Sequence, residues 1–231
     1  MSPIEEMARG CYGYGRWDAP YWFIGLEEGM DGLLDDRIKA WQGLGRETGL
    51  SDCRAFHERI GVTKWHSKKP KAALQSTWRP LMLLLRTFLE KAADKESLRK
   101  YQIDRWGMAD GETCLIELFG LPAEDLQTGA AQRGAHFTTD QVEAIRQKRL
   151  ERISGEMEQH RETLRLVVMY GCSGRESFEE FAERSLICDE VFKCGSTLMA
   201  FTPHPGEHGR RNDDWIALGK KMREMNAPTA G

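Results

Sequence analysis

Five short apolar runs are the feature that most limits the fold of this 231-residue chain. Several are continuous rather than alternating, which is typical of strands buried on both faces of a mostly parallel sheet. Helical patterns separate most of them, so the sequence predicts an α/β protein with a three-layer α/β/α arrangement. The predicted strands are YWFIG (21–25), TCLIELF (113–119), LRLVVMYG (164–171), DEVFKCG (189–195) and STLMAF (196–201).

Apolar spacing and capping residues predict the helices. Thr138 with Gln141, and Ser173 with Glu176, are capping boxes that each open a helix. Asn212 is a favourable N-cap for the last helix, whose first turn is acidic. The predicted spans are 77–92, 139–162, 174–184 and a final helix that starts after Asn212.

Composition is that of an ordinary globular protein, with 40% apolar and 30% charged residues. We expect one domain over residues 1–231. No apolar run is long enough to span a membrane, and the first ten residues, MSPIEEMARG, do not resemble a signal peptide, so we expect a cytoplasmic protein without membrane association. The six cysteines include no closely spaced pair, so we expect buried free thiols, no iron–sulfur cluster and no cofactor or metal.

In open α/β sheets, ligands bind beyond the carboxyl ends of the strands. Three loops are predicted to converge there: GLEEGMDG (25–32), ELFGLPA (117–123) and TPHPGEHGRRN (202–212). Glu27 in the first loop is placed to orient a water or to stabilise a cation, and His204 in the third is placed to donate to an anion. These two roles suit hydrolysis of an N-glycosidic bond, in which the sugar becomes cationic and the leaving base anionic.

The same three loops resemble those of the uracil-DNA glycosylase superfamily. The first resembles the family's G-x-[D/N/E]-P-[G/Y] turn, and Glu27 matches the residue that activates water in several branches. His204 lies in an HP-containing loop and matches the histidine that stabilises the base anion. The resemblance implies a metal-independent DNA glycosylase that removes a modified or deaminated base from DNA, with the fold of that superfamily.

The resemblance also implies the remaining site residues, and this sequence departs from the family's pattern at three positions. Glu28 stands where the family has proline, Gly206 where serine is common, and Glu117 where an asparagine reads the uracil edge. An ionised Glu117 can only accept hydrogen bonds, so it would disfavour uracil unless burial raises its pKa and keeps it protonated. The implied substrate-binding residues are Gly25, Leu26, Glu28, Gly29, Glu117 and Phe119.

Basic residues interleaved with Trp65 and Trp78 form a candidate DNA-binding surface despite the net charge of −3. The nucleic-acid contacts predicted from this stretch and from the third loop are Lys64, Lys68, Lys69, Lys71, Arg210 and Arg211. Two other hypotheses stay open. In one, the protein is a nucleic-acid or nucleotide-binding module on the same fold that has lost activity. In the other, it is a hydrolase in which Glu27, Glu28 and Glu117 bind a divalent cation. No protein partner can be deduced.

Overall fold

The computed structural model describes residues 1–67, 71–124, 126–171, 175–206 and 210–226, with only the backbone of Leu126. Within these ranges the chain is a mixed α/β protein with a seven-stranded sheet. The strands are β1 (Gly13–Tyr14), β2 (Tyr21–Gly25), β3 (Leu50–Ser51), β4 (Thr113–Glu117), β5 (Leu166–Tyr170), β6 (Glu190–Cys194) and β7 (Thr197–Thr202). The helices are α1 (Pro3–Gly10), α2 (Leu34–Leu44), α3 (Cys53–Arg59), α4 (Trp78–Phe88), α5 (Lys95–Asp104), α6 (Leu126–His136), α7 (Thr139–Gln159), α8 (Arg175–Ala182) and α9 (Asn212–Asn226).

The sheet has the strand order β3-β1-β4-β2-β5-β7-β6. Strands β4, β2, β5 and β7 are neighbours and run parallel, whereas β1 is antiparallel to β4 and β6 is antiparallel to β7. The carboxyl ends of the four central strands therefore lie side by side at one edge.

Apolar residues of the central strands alternate between two separate cores. Phe23 and Val168 belong to the core that α4 and α9 cover, whereas Trp22 and Val167 belong to the core that includes residues of α7 and α8. Helices thus cover both faces of the sheet, which agrees with the expected α/β architecture and explains why the central strands read as continuous apolar runs.

The five predicted strands are all present, with ends that differ by at most two residues. The capping box of Thr138 and Gln141 is confirmed at the start of α7. Asn212 is the first residue of α9 rather than the residue before it. Ser173, the predicted cap of α8, lies outside the described residues. Among the described helices, none combines the length and the apolar character that crossing a bilayer requires.

Candidate functional site

Backbone register brings the predicted loops together at the carboxyl edge of the sheet. Gly25 at the end of β2 pairs with Glu117 at the end of β4, and Tyr170 at the end of β5 pairs with Thr202 at the end of β7. Beyond the strands, the Phe119 amide donates to the carbonyl of Leu26 over 2.7 Å. The loops after β2 and β4 therefore continue side by side past the end of the sheet.

A cavity of about 70 Å³ opens at this edge and is referred to below as the cavity. Its wall includes four of the predicted polar site residues, Glu27, Glu28, Glu117 and His204, although these come from three distant segments. The complete lining is Glu27, Glu28, Gly29, Asp31, His57, Trp65, Gln75, Thr77, Trp78, Glu117, Tyr170 and His204.

Glu27 is held against helix α6. Its carboxylate forms an ion pair with Arg133, and its side chain is only 6% exposed. Gly129 permits this approach, because a Cβ atom at that position would lie 2.4 Å from Glu27 Oε2. The guanidinium of Arg133 in turn lies 4.0 Å from the ring centroid of Phe119. Glu27 is therefore fixed at the cavity wall by a partner from a distant part of the sequence.

Glu28 belongs to a buried polar network. Its Oε2 pairs with Arg37, whose side chain is fully buried, and its Oε1 accepts a 2.5 Å hydrogen bond from the Tyr14 hydroxyl. Arg37 also donates to the Asp31 carbonyl over 2.9 Å. These contacts tie the acidic loop to α2 and β1, so the position where the resembled family has proline carries a structural ion pair here.

Glu117 lies beneath Gly25 and beside Tyr170. Its Oε1 accepts a 3.3 Å hydrogen bond from the Tyr170 hydroxyl, and Oε2 is buried without a hydrogen-bond partner among the described residues. Burial, reinforced by the negative charge of Glu28, raises the pKa of Glu117 well above its usual range. The protonated carboxyl is therefore favoured, which is the condition under which Glu117 can donate as well as accept.

The close packing around Glu117 explains the glycine at the end of β2. A Cβ atom at position 25 would lie 2.6 Å from both Glu117 Oε2 and the Tyr170 hydroxyl. Gly25 thus makes room for the two polar side chains and does not itself line the cavity.

His204 lies at the exposed rim of the cavity. The amide of Gly206 donates to His204 Nδ1 over 3.1 Å, so the neutral ring carries its proton on Nε2. The ring of Tyr170 is 5.9 Å away between centroids. This arrangement makes Nε2–H the hydrogen-bond donor of a neutral imidazole.

Sequence reasoning missed several residues of the wall. Tyr170 and His57 contribute polar groups, and Trp65 and Trp78, predicted as part of a DNA-binding surface, line the cavity. Buried Gln102 donates to the carbonyls of Trp65 and Ala73 over 2.8 and 2.9 Å, which holds this part of the wall in place. The apolar run ending in Tyr170 was a signal that a further side chain reaches the same edge.

Besides Gly25, two other predicted substrate-binding residues do not line the cavity. Leu26 packs against the core on the α7 and α8 side of the sheet, and Phe119 lines a separate small cavity with Arg133. Gly29 does line the main cavity.

The predicted nucleic-acid contacts are mostly paired with acids where the structure describes them. Lys64 binds Asp31 over 2.8 Å, Lys71 pairs with Glu96, and Arg210 binds Asp189 over 2.6 Å. Arg211 is exposed, and its side chain makes no ion pair with the described residues. Lys68 and Lys69 lie outside the described residues.

The hypothesis of a three-carboxylate cation site finds no support in this geometry. Arginines occupy both Glu27 and Glu28, and within the described ranges these two and Glu117 do not form a cluster close enough to share an ion. Neither the comparison with known protein families nor that with curated proteins finds a match for the chain.

Proposed function

We propose that the protein is a DNA glycosylase that hydrolyses the N-glycosidic bond of a modified or deaminated base. The observation that carries the proposal is the meeting of Glu27 and His204 in the wall of one cavity with Glu117. Cleavage of such a bond requires a carboxylate beside the sugar, a hydrogen-bond donor beside the leaving base and a group that reads the base edge. Glu27, the neutral imidazole of His204 and the protonated carboxyl of Glu117 suit these three roles in turn.

Charge separates along the breaking bond in this reaction. Glu27 serves the sugar side, where a carboxylate stabilises the developing cation and orients the attacking water. His204 serves the base side. Its neutral ring already carries a proton on Nε2, and this N–H can donate a hydrogen bond to the developing anion. The ion pair with Arg133 and the hydrogen bond from Gly206 hold the two groups in position before substrate binds.

Glu117 reads the edge of the base in this proposal. A protonated carboxyl donates through its hydroxyl and accepts through its carbonyl, which is the same pairing capacity as one face of an asparagine amide. A pyrimidine with an N–H next to a carbonyl matches that pattern. We therefore expect uracil and related oxidised or deaminated pyrimidines to be the preferred substrate class.

The cavity must widen to admit a base. Its volume of about 70 Å³ is well below the roughly 300–1,000 Å³ of typical small-molecule sites. A flipped base would enter past the exposed rim at His204, and Trp65 and Trp78 offer aromatic faces for stacking.

The second candidate is a nucleic-acid-binding module without turnover. The ion pairs that engage Glu27 and Glu28 favour it, because a carboxylate bound to arginine has less freedom to activate water.

The deciding experiment incubates the full chain with labelled single- and double-stranded oligonucleotides that carry uracil, hypoxanthine, xanthine or an alkylated base. Formation of abasic sites at one of these bases supports the glycosylase. Salt-sensitive binding without abasic sites supports the binding module, and the absence of both binding and cleavage contradicts both candidates.

A further inference from the structure

Three potential metal ligands meet beside the cavity. Cys53 and His57 lie four residues apart on α3, and therefore on one face of the helix, while His66 follows in the loop beyond it. Cys53 Sγ is 3.6 Å from His57 Nδ1 and 3.8 Å from His66 Nε2. Their ligand atoms all lie within 4.8 Å of one another, and these three are the only such cluster of histidine, cysteine and carboxylate groups in the described ranges.

The distances agree with those of ligands around one zinc ion. Zinc bonds of about 2.3 Å to sulfur and about 2.0–2.1 Å to nitrogen, at tetrahedral angles, separate sulfur from nitrogen by about 3.5 Å. The two observed sulfur to nitrogen distances are close to that value. The third separation, between the two histidine nitrogens, is at most 4.8 Å.

Hydrogen bonds alone leave this cluster incomplete. His66 is only 5% exposed, yet its Nδ1 has no hydrogen-bond partner within the described part of the chain. Its Nε2 has the long contact with Cys53 Sγ. A metal ion bound to Nε2 would replace this long contact with a bond and would leave Nδ1 in its present surroundings.

One carboxylate lies behind His57 on the side away from Cys53. His57 Nδ1 lies 2.7 Å from the carbonyl of Cys53, a hydrogen bond that Nδ1 has to give up in order to bind an ion, and its Nε2 lies 3.9 Å from Glu28 Oε1. When Nδ1 binds an ion, the ring carries its proton on Nε2, which faces the Glu28 carboxylate. A carboxylate behind a metal-bound histidine is the usual arrangement at zinc sites.

We propose that Cys53, His57 and His66 bind a zinc ion, with a water or an external ligand in the fourth position. One thiolate with two imidazoles suits zinc better than magnesium or calcium, which prefer oxygen ligands. The ion would tie α3 to the loop that carries Trp65 and would stabilise one wall of the cavity. The site does not depend on the proposed glycosylase activity.

Metal content and cobalt spectroscopy test the proposal on the full chain. We expect the purified protein to hold about one zinc per chain, and we expect cobalt bound after zinc removal to show tetrahedral bands and a thiolate-to-cobalt charge-transfer band. Cys53→Ala should abolish the charge-transfer band, whereas Cys114→Ala, at a buried cysteine in β4, should leave it unchanged. His66→Gln should weaken metal binding by at least about 100-fold, since loss of an outer contact alone costs about 10–100-fold.

A second measurement uses only the wild-type protein, so it still tests the proposal if a variant fails to fold. Zinc-edge X-ray absorption of the wild-type protein should find one sulfur and two imidazole nitrogens around the ion. Protein without stoichiometric metal that also binds no added zinc or cobalt would overturn the proposal. So would binding that survives both Cys53→Ala and His66→Gln, or a coordination shell without sulfur.

Discussion

The cavity and the predicted basic surface, to which Lys64, Lys71, Arg210 and Arg211 were assigned, hold their charges differently. In the cavity, Glu27 and Glu28 pair with arginines whose side chains are 13% and 0% exposed. On the basic surface, the lysines also pair with acids, but their side chains are 53% and 62% exposed. Burial distinguishes the lysine pairs from the pairs in the cavity, whereas Arg210, at 10% exposed, is as buried as Arg133.

The difference in burial separates fixed groups from exchangeable ones. Removing one partner of a buried pair leaves a charge without compensation, so such pairs hold their members in place. Exposed pairs contribute little, and water or a phosphate can replace either partner. The paired groups of the cavity are therefore held in fixed positions, whereas Lys64 and Lys71 would have to release Asp31 and Glu96 in order to bind a phosphate.

The largest expected effect is on turnover. Glu27→Gln and His204→Ala should each slow formation of abasic sites by roughly 10²–10⁴, the range for a lost acid–base group, with DNA affinity little changed. Single-turnover cleavage and binding titrations on the same oligonucleotide measure the two effects. His160→Ala, at the end of α7, is the matched control and should retain full activity. A variant that loses binding and turnover equally would point to folding or recognition.

The buried pair beside the cavity should dominate stability. Arg37→Met removes the partner of Glu28, and we expect the free energy of unfolding to fall by about 3 kcal/mol, near the lower end for a broken buried pair because Glu28 is 23% exposed. Arg161→Met breaks an exposed pair with Glu158 and should cost no more than about 0.5 kcal/mol. Denaturant unfolding measures both variants, and equal losses would contradict the contrast.

The raised pKa of Glu117 predicts the direction of a pH effect on stability. The folded state keeps the proton where an unfolded glutamate has lost it, so the folded state binds more protons between the two pKa values. The stabilising contribution is therefore complete below the ordinary carboxyl pKa and is lost as pH rises towards the folded value. Glu117→Gln removes the titration, and its unfolding free energy should decline less over that range than that of the wild type.

Base preference should change over the same range. In the proposed function, protonated Glu117 pairs with uracil, whereas the ionised form would oppose a carbonyl oxygen and should lower uracil excision by about ten- to a hundredfold, equivalent to about 1–3 kcal/mol. Glu117→Asn keeps a donor and an acceptor at every pH. Excision of uracil relative to hypoxanthine should therefore become independent of pH in this variant. A preference that is independent of pH in the wild type would show that Glu117 does not read the base.

Local pattern predicted the central sheet and the convergence of its loops. The continuous apolar runs identify strands because both faces of each strand are covered. Strands β1 and β3 were missed, since two residues each provide no periodicity. Helix α6 was missed because Gly129 and Gly134 weaken its helical pattern.

The local sequence pattern could not predict the ion-pair partners of Glu27 and Glu28. Arg133 and Glu27 are 106 positions apart, and no spacing links them. Nothing in the local sequence distinguishes Arg37 from an exposed arginine, yet in the structure it is buried against Glu28. The zinc-ligand candidates did carry a signal, because Cys53 and His57 have the i,i+4 spacing of ligands on one helix. Closely spaced cysteine pairs are not the only metal-ligand pattern, and a prediction based on them alone does not detect the spacing of Cys53 and His57.

The smallest expected effect concerns the salt dependence of DNA binding. Each phosphate contact contributes about −0.9 to the slope of log affinity against log salt. Arg211→Ala removes a cation without an ion-pair partner in the described ranges, so it should make the slope shallower by about 0.9. Lys71→Ala should change it less, because Lys71 has to release Glu96 before it can bind a phosphate.

Glu96→Gln frees Lys71 and should therefore tighten binding and steepen the slope, while the double variant Lys71→Ala, Glu96→Gln should not. If Glu96→Gln leaves affinity and slope unchanged, Lys71 makes no phosphate contact, and the DNA-binding surface must be sought closer to Arg211 and the rim at His204.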